Sequence, residues 1–421
     1  MRRCIWIIPA CGGLLFSGIG KALPLYESDL VSLHINGYLT AHQINIDGNT
    51  ELIDGASRLS LKLETPAYDQ WNVGFFLEWG LLAVSPDQEI VISGDQQAES
   101  GEIADPLYIR HGNAFAQHDF WGDFRVGKQW SVYYDIAYIT DWYNVSGALA
   151  SGAFALGGDG GVTGTGRADA ALTWRKRWKG FGGEFQIGLQ YAAHAGKLDY
   201  MVQDARGPDT LLVCPTDDCE YGISRGASLT YTVDIGDGLF LGTAYNRVNL
   251  DLFTEDGMLF DISDPAFPVL IRDDEEINES GNDFAFIGGI AYGKGPLEEG
   301  LYAAFNWHRS HNNEIAPPNS TMGVLNFFNA IGSESYVSWT WGALNCYSIY
   351  GGHNLLKSYD DDEFEEGLVT GDKYRLAKYF LGFNYKWNSH VRLYIEGGID
   401  DSNRVAESSG DFIAAGVRVD I

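Results

Sequence analysis

Sixteen segments of this chain place apolar side chains at every second position, and the connections between them alternate between short and long. No other feature constrains the fold as much. Alternation of period two marks a strand with unlike faces. Residues 57–64 show it cleanly: Leu59, Leu61 and Leu63 fall on one face, and Arg58, Ser60, Lys62 and Glu64 on the other. Phe185, Ile187, Leu189 and Tyr191 stand opposite Glu184, Gln186, Gln190 and His194, and Tyr379, Leu381, Phe383, Tyr385 and Trp387 form a further apolar face. The segments run approximately 30–45, 57–65, 71–82, 108–118, 122–131, 166–176, 183–194, 222–234, 239–249, 284–293, 301–312, 334–343, 346–357, 374–387, 391–401 and 411–421. Most are close to the roughly 9–11 residues that a tilted strand needs to cross a bilayer.

The connections carry as much information as the strands. Those after every even-numbered segment are short, such as His118 to Trp121, Lys179 to Gly182, Ile235 to Gly238 and Asn388 to His390. Most of the others are long: 83–107, 132–165, 195–221, 250–283, 313–333 and 358–373. A soluble sandwich has no reason to sort its loops by parity. A membrane barrel with short periplasmic turns on one rim and long extracellular loops on the other does. The expected fold is therefore all-β: a transmembrane antiparallel β-barrel of 16 strands over residues 23–421. The last segment agrees, with Ile413, Ala415, Val417, Val419 and Ile421 alternating with Ala414, Gly416, Arg418 and Asp420. Polar residues on so many second faces predict a water-filled lumen.

Composition closes off the other classes. With 12 Trp, 23 Tyr, 22 Phe, 52 Gly and only 12 Pro, the chain is too apolar and aromatic for disorder. Its net charge of −29 disfavours nucleic acid, whose phosphates call for clustered Lys and Arg, and equally disfavours docking on anionic lipid. Beyond residue 22 no apolar run is long enough for a transmembrane helix. Residues 1–22 read as a secretory signal: Arg2 and Arg3, an apolar stretch from Cys4 to Ile19, and the small-x-small site Gly20-Lys21-Ala22. Cys214 and Cys219 lie close together in a CPTDDC segment and are expected to form a short-loop disulfide, leaving Cys346 unpaired. No further Cys or His stands near them, so no metal site is expected.

The run Gly122-Asp-Phe-Arg-Val-Gly-Lys-Gln129, continuing through Tyr133-Tyr134-Asp135 to Asp141 and Gly166-Arg167, resembles the general porins of Gram-negative outer membranes. The resemblance implies that loop three, residues 132–165, folds into the barrel and narrows a pore. It also implies that Arg58, Arg110 and Arg167 form a basic ladder on the wall, with Asp141 as a facing loop acid and Lys62 as a weaker member of Arg58's face. A homotrimer, contact with outer-membrane lipid and lipopolysaccharide, and passage of ions and small hydrophilic solutes follow from the same resemblance. Three departures stand out. The acidic loop motif survives only as Gly157-Gly158-Asp159, the chain ends in Ile421 where the family usually ends in Phe, and His111 and Asn113 are expected to face outward, as at a subunit interface.

Gly164-Thr-Gly166 precedes a strand instead of a helix, so it reads as loop glycine and not as a dinucleotide turn. No hydrolase or nucleotide-binding motif is present, and neither catalysis nor a cofactor is expected. Acids crowd three long connections: eleven in 250–283, seven in 358–372 and six in 83–107. They suit a solvated outer face, or oxygen-rich sites for divalent cations bridging to lipopolysaccharide. A substrate-specific channel and a non-conducting adhesin are the alternative functions.

Overall fold

A computed structural model describes residues 22–84, 107–154, 159–161, 163–193, 201–203, 210–213, 221–261, 269–316, 326–359, 373–403, 406 and 410–421. The strands are β1 (Leu23–Glu27), β2 (Ser32–Ile46), β3 (Asn49–Asp54), β4 (Ser57–Pro66), β5 (Asn72–Leu81), β6 (Leu107–His118), β7 (Gly122–Trp130), β8 (Arg167–Gly180), β9 (Gly183–Ala192), β10 (Met201–Gln203), β11 (Thr210–Val213) and β12 (Tyr221–Val233). They continue as β13 (Leu239–Asp261), β14 (Val269–Tyr292), β15 (Gly300–Ala316), β16 (Asn326–Trp341), β17 (Tyr347–Ser358), β18 (Arg375–Lys386), β19 (Val391–Asp400) and β20 (Phe412–Asp420).

All pair antiparallel in one sheet that closes on itself. β2 meets β20 from Tyr38↔Asp420 to Ile46↔Phe412. β3 and β4 both pair with β2 and act as one barrel strand interrupted at Gly55 and Ala56. Counting them once, and leaving out β1 and the β10–β11 hairpin, the circuit has sixteen strands, in the segments that the alternation marks. Closure leaves no edge open along the wall. The short connections are turns on one rim. Phe181 and Gly182, with φ of 51° and 80°, make the two-residue link from β8 to β9 that a right-twisted hairpin favours.

The two faces sort as the period requires. Along β18, Tyr379, Leu381 and Phe383 face outward, while Lys378, Phe380 and Asn384 are buried inside. Ile349, Ile395, Ile413 and Val419 continue the outward apolar surface on neighbouring strands. Tyr68, Phe120, Trp121, Phe181 and Trp387 stand exposed on the short-turn rim, where aromatic rings suit a membrane–water boundary. No described helix is long and apolar enough to cross a membrane.

The structure corrects three expectations. First, 250–283 is not simply a loop. β13 and β14 have 23 and 24 residues and stay paired out to Asp261↔Val269. β11 pairs with β13 there, so strand pairing continues beyond the barrel wall. Second, His111 and Asn113 do not face outward. Trp79 pairs with Ile109 but Glu78 with His111, so Arg110 is an extra residue, and both Arg110 and His111 are buried inside. Such a bulge reverses the facing of everything after it. Third, the inward polar face is not uniformly wet, since Asn306, His308, Ser310 and Glu334 are wholly buried. Residues 1–21, Cys214, Cys219 and most of the acidic connections 83–107 and 358–372 lie outside the described residues. Cys346 is a half-buried free thiol.

Candidate pore constriction

Loop three, joining β7 to β8, turns inward across the barrel. The Ser131 hydroxyl accepts from Tyr134 N–H (3.0 Å), opening a single helical turn, α1 (Tyr134–Ala137). Val132 N–H donates to Gln190 Oε1 at 3.1 Å, fixing the entry to β9. The underside of the loop is apolar. Ile136 packs with Ala244, Ala285 and Ile287, and Ile139 with Tyr302, Ala304, Tyr336 and Tyr350. Farther along, Val145 reaches Ile44, Ile53, Phe380, Tyr394 and Phe412.

Inward-facing glycines make room for this packing. A Cβ on Gly242 would come within 2.9 Å of Ile136, and one on Gly289 within 2.8 Å of Ile136 and 2.7 Å of Ile139. Two wholly buried carboxylates then fasten the loop. Glu396 on β19 accepts from the N–H groups of Asn144 (2.7 Å), Val145 (3.2 Å) and Ser146 (3.2 Å), and from the Tyr350 hydroxyl (2.7 Å). Glu334 on β16 accepts from the Thr140 hydroxyl (2.6 Å), Ala150 N–H (2.8 Å) and Asn306 Nδ2 (3.2 Å). Each clamp satisfies loop N–H groups that would be costly to bury unpaired.

The loop therefore covers the wall from β13 round to β20. Opposite, the loop bonds to Gln186 and Gln190 of β9 and leaves space beside the wall that β5 to β9 form. There a solvent-connected cavity lies between loop three and the strands. Tyr134, Asp135, Tyr138, Asp141 and Trp142 line it from the loop. Phe76, Glu78, His111, Asn113, Arg125, Gln129, Trp130, Arg175, Arg177 and Gln186 line it from the wall. Asp135 ties the two sides together, accepting from Arg175 Nε (2.9 Å), Gln186 Nε2 (3.2 Å) and the Ser228 hydroxyl (3.2 Å). Arg175 also donates to the carbonyls of Trp130 and Ser131, at 3.0 and 2.8 Å.

Of the residues picked out from sequence, Asp141 lines this cavity and accepts from the Tyr134 hydroxyl at 2.6 Å. Arg58 and Arg110 converge on Glu78, itself a lining residue: Arg110 Nε lies 3.0 Å and Arg58 Nη1 4.0 Å from Glu78 Oε1. Arg58 also stacks on Tyr38, its guanidinium carbon 4.7 Å from the ring centre. Lys62 contacts Glu64 at 2.6 Å and lies over Phe115. Arg167 stands at the return end of the loop, with Nε 3.3 Å from Asp159 Oδ2, and Lys128 Nζ sits 2.7 Å from the same oxygen. Burial alone would raise the Asp159 carboxyl, but Arg167 and Lys128 outweigh it and hold the carboxyl below its ordinary range. Asp159 is thus the acid kept from the partial loop motif, and it serves the loop's own anchorage.

Glu78, Asp135, Arg125, Arg175 and Arg177 were missed. Strand parity could have found Arg175 and Arg177, which share a face with Thr173. For Arg125 the Asp123 carboxylate, 3.0 Å away on the same face, was the available hint.

The sequence matches no protein-family model and no curated protein. Solved structures do match, at low identity. OmpF of Salmonella typhi, solved in complex with daunomycin, is 16% identical over 95% of this chain and 100% of that one, with a TM-score of 0.59. The outer-membrane channel DcaP of Acinetobacter baumannii is 11% identical over the same shares, at 0.58. OmpT of Vibrio cholerae in its trimer form is 14% identical over 93% of this chain and 100% of that one, at 0.56. The chain has the sixteen-stranded porin fold, a fold of Gram-negative outer-membrane proteins.

Proposed function

We propose that this protein is a passive diffusion channel of the outer membrane, admitting ions and small hydrophilic solutes and catalysing no reaction. The observation that carries this reading is the cavity between loop three and the β5–β9 wall, which is open to solvent and lined by charges of both signs. Opposed fixed charges in a narrow, weakly polarisable surround set a transverse field that orders water and orients dipolar solutes. Arg58, Arg110, Arg167, Lys62 and Asp141 belong to that field in this reading, the first two through Glu78. A homotrimer in contact with lipid and lipopolysaccharide is consistent with the apolar outer surface and with the trimer form of the Vibrio cholerae relative.

Reconstitution into a planar bilayer tests the proposal. Discrete conductance steps are expected, and a silent barrel would favour the adhesin alternative. Neutralising Arg58 and Arg110 together should move the reversal potential in a salt gradient toward that of a more cation-preferring pore. An unchanged potential would remove both from the constriction.

A further inference from the structure

The wall that seats loop three carries a second group of inward charges, between the seat and the short-turn rim. Lys386, Arg392 and Arg418 stand directly opposite one another on β18, β19 and β20, in the pairs Lys386↔Arg392 and Arg392↔Arg418. By strand parity they share the inward face with Asn384, Tyr394 and Ala414, all buried inside the barrel. Lys386, Arg392 and Arg418 are themselves only half-buried. Glu396, the clamp of loop three, lies on the same face of β19 as Arg392 and nearer the long-loop rim.

Like charges placed directly opposite across a sheet repel. Neighbouring strands are about 4.8 Å apart, so this row gathers three cations within roughly 10 Å. One acid in the row's own register stands against them, and Arg418 engages it. Asp420 Oδ1 accepts from Arg418 Nε at 2.8 Å and lies 2.7 Å from Arg418 Nη2. Arg418 is also fixed over Tyr38, its guanidinium carbon 3.5 Å from the ring centre, and Arg58 reaches the same ring at 4.7 Å.

Arg392 and Lys386 are different. Among the described residues, neither side chain has an ion pair or a hydrogen-bond partner. The Nε of Arg392 is enclosed, whereas its two terminal nitrogens and the Lys386 ammonium keep contact with solvent. An incoming anion therefore meets unused donors at accessible atoms and displaces no existing pair. An arginine fork takes two oxygens of one phosphate or carboxylate, and a lysine one strand away takes an oxygen of a second group.

We propose that Lys386, Arg392 and Arg418 form a binding subsite for solutes bearing two or more oxyanion groups, at the short-turn end of the passage. Occupancy relieves the repulsion along the row. A solute with one such group engages only one of the two unpartnered cations and is held more weakly.

This inference rests on the channel reading, and its test keeps the two apart. Single-channel chloride current is recorded at constant ionic strength while pyrophosphate, succinate or acetate is added as the sodium salt. Acetate, with a single oxyanion group, is the control. The expected result is a saturable, reversible fall in current with pyrophosphate, with succinate or with both, and a merely proportional change with acetate. Saturation by only one of the first two narrows the subsite to phosphate or to carboxylate groups. Arg392→Gln should raise the half-saturating concentration roughly tenfold, and Lys386→Gln about threefold. Lys386→Gln changes an accessible side chain beside a turn, so it decides the matter if Arg392→Gln does not fold. Lys294→Gln, on an exposed turn elsewhere on the same rim, should leave the response unchanged. Proportional responses to all three salts, saturation by acetate at the same concentration, or a half-saturating concentration that ignores Lys386 and Arg392 overturns the subsite while leaving the channel intact. If the barrel proves silent, the channel reading fails, and equilibrium dialysis of pyrophosphate and of succinate against the protein in detergent decides the subsite alone. Saturable binding of either that weakens in Lys386→Gln supports it, and binding of neither, or binding that Lys386→Gln leaves unchanged, refutes it.

Discussion

Two halves of one wall, built on the same alternating pattern, have opposite fates inside the barrel. From β13 to β20 the inward face carries glycine, alanine and tyrosine together with the two wholly buried clamp glutamates, and loop three lies on it. From β5 to β9 it carries arginine, glutamate, glutamine and histidine, and it borders an open cavity. The difference shows that alternation decides only which side chains point inward. Their size and charge decide whether the interior they line is filled or left open. Small residues let an apolar loop approach closely, as in any packed core. Paired charges hold the other half apart and solvated.

Removing a clamp should break this contrast most severely. Glu396→Ala leaves three loop N–H groups and the Tyr350 hydroxyl without their acceptor. Unsatisfied buried donors cost about 1–3 kcal/mol each, so a loss of roughly 3 kcal/mol or more is expected even after relaxation. Loop three should leave its seat, and the channel should show larger, noisier conductance and a lower melting temperature. Glu396→Gln keeps an acceptor oxygen and should do much less. Quiet, wild-type currents from Glu396→Ala would mean that apolar packing alone holds the loop.

Filling the seat should change conductance the other way. Gly289→Leu drives side-chain atoms into Ile136 and Ile139, and overpacking of this kind costs about 1–3 kcal/mol. Because the clamps remain, the loop is pushed toward the open cavity and conductance should fall. Opposite signs for the two variants would establish that the loop's position sets pore size. A shared sign would mean that both simply loosen the barrel.

How much of this was legible follows from the same contrast. The sixteen strands and the sorting of their turns were readable because lipid enforces an apolar residue at every second place, as in Tyr379, Leu381 and Phe383. The inward face answers to no such uniform solvent. Nothing in the sequence sets Gly242 and Gly289, over which Ile136 lies, apart from the chain's other glycines. His111 was placed on the wrong face because a bulge leaves no mark in a single sequence. Likewise, Arg58 and Arg110 were chosen without Glu78, the acid that joins them, because it lies on the strand between theirs. Pairing across strands is a property of register, which alternation does not fix.

The smallest effect belongs to the far end of the loop, where Asp159 anchors the return into β8 through Arg167 and Lys128. Its carboxyl titrates below the ordinary 3.8 because Arg167 and Lys128 outweigh the opposing effect of burial. A group depressed in the folded state stabilises it fully above the unfolded value and loses that contribution as pH falls through the folded value. The anchorage should therefore be intact at neutral pH and weaken only in acid below about pH 4, within the range of an ordinary aspartate. Asp159→Asn removes the charge at every pH, so its melting temperature should lie below wild type at pH 7 and the gap should close as acid protonates the wild-type carboxyl. A gap that stayed constant across that range would show that Asp159 holds the loop by shape and hydrogen bonding, with Gly161 N–H at 2.9 Å as the remaining contact.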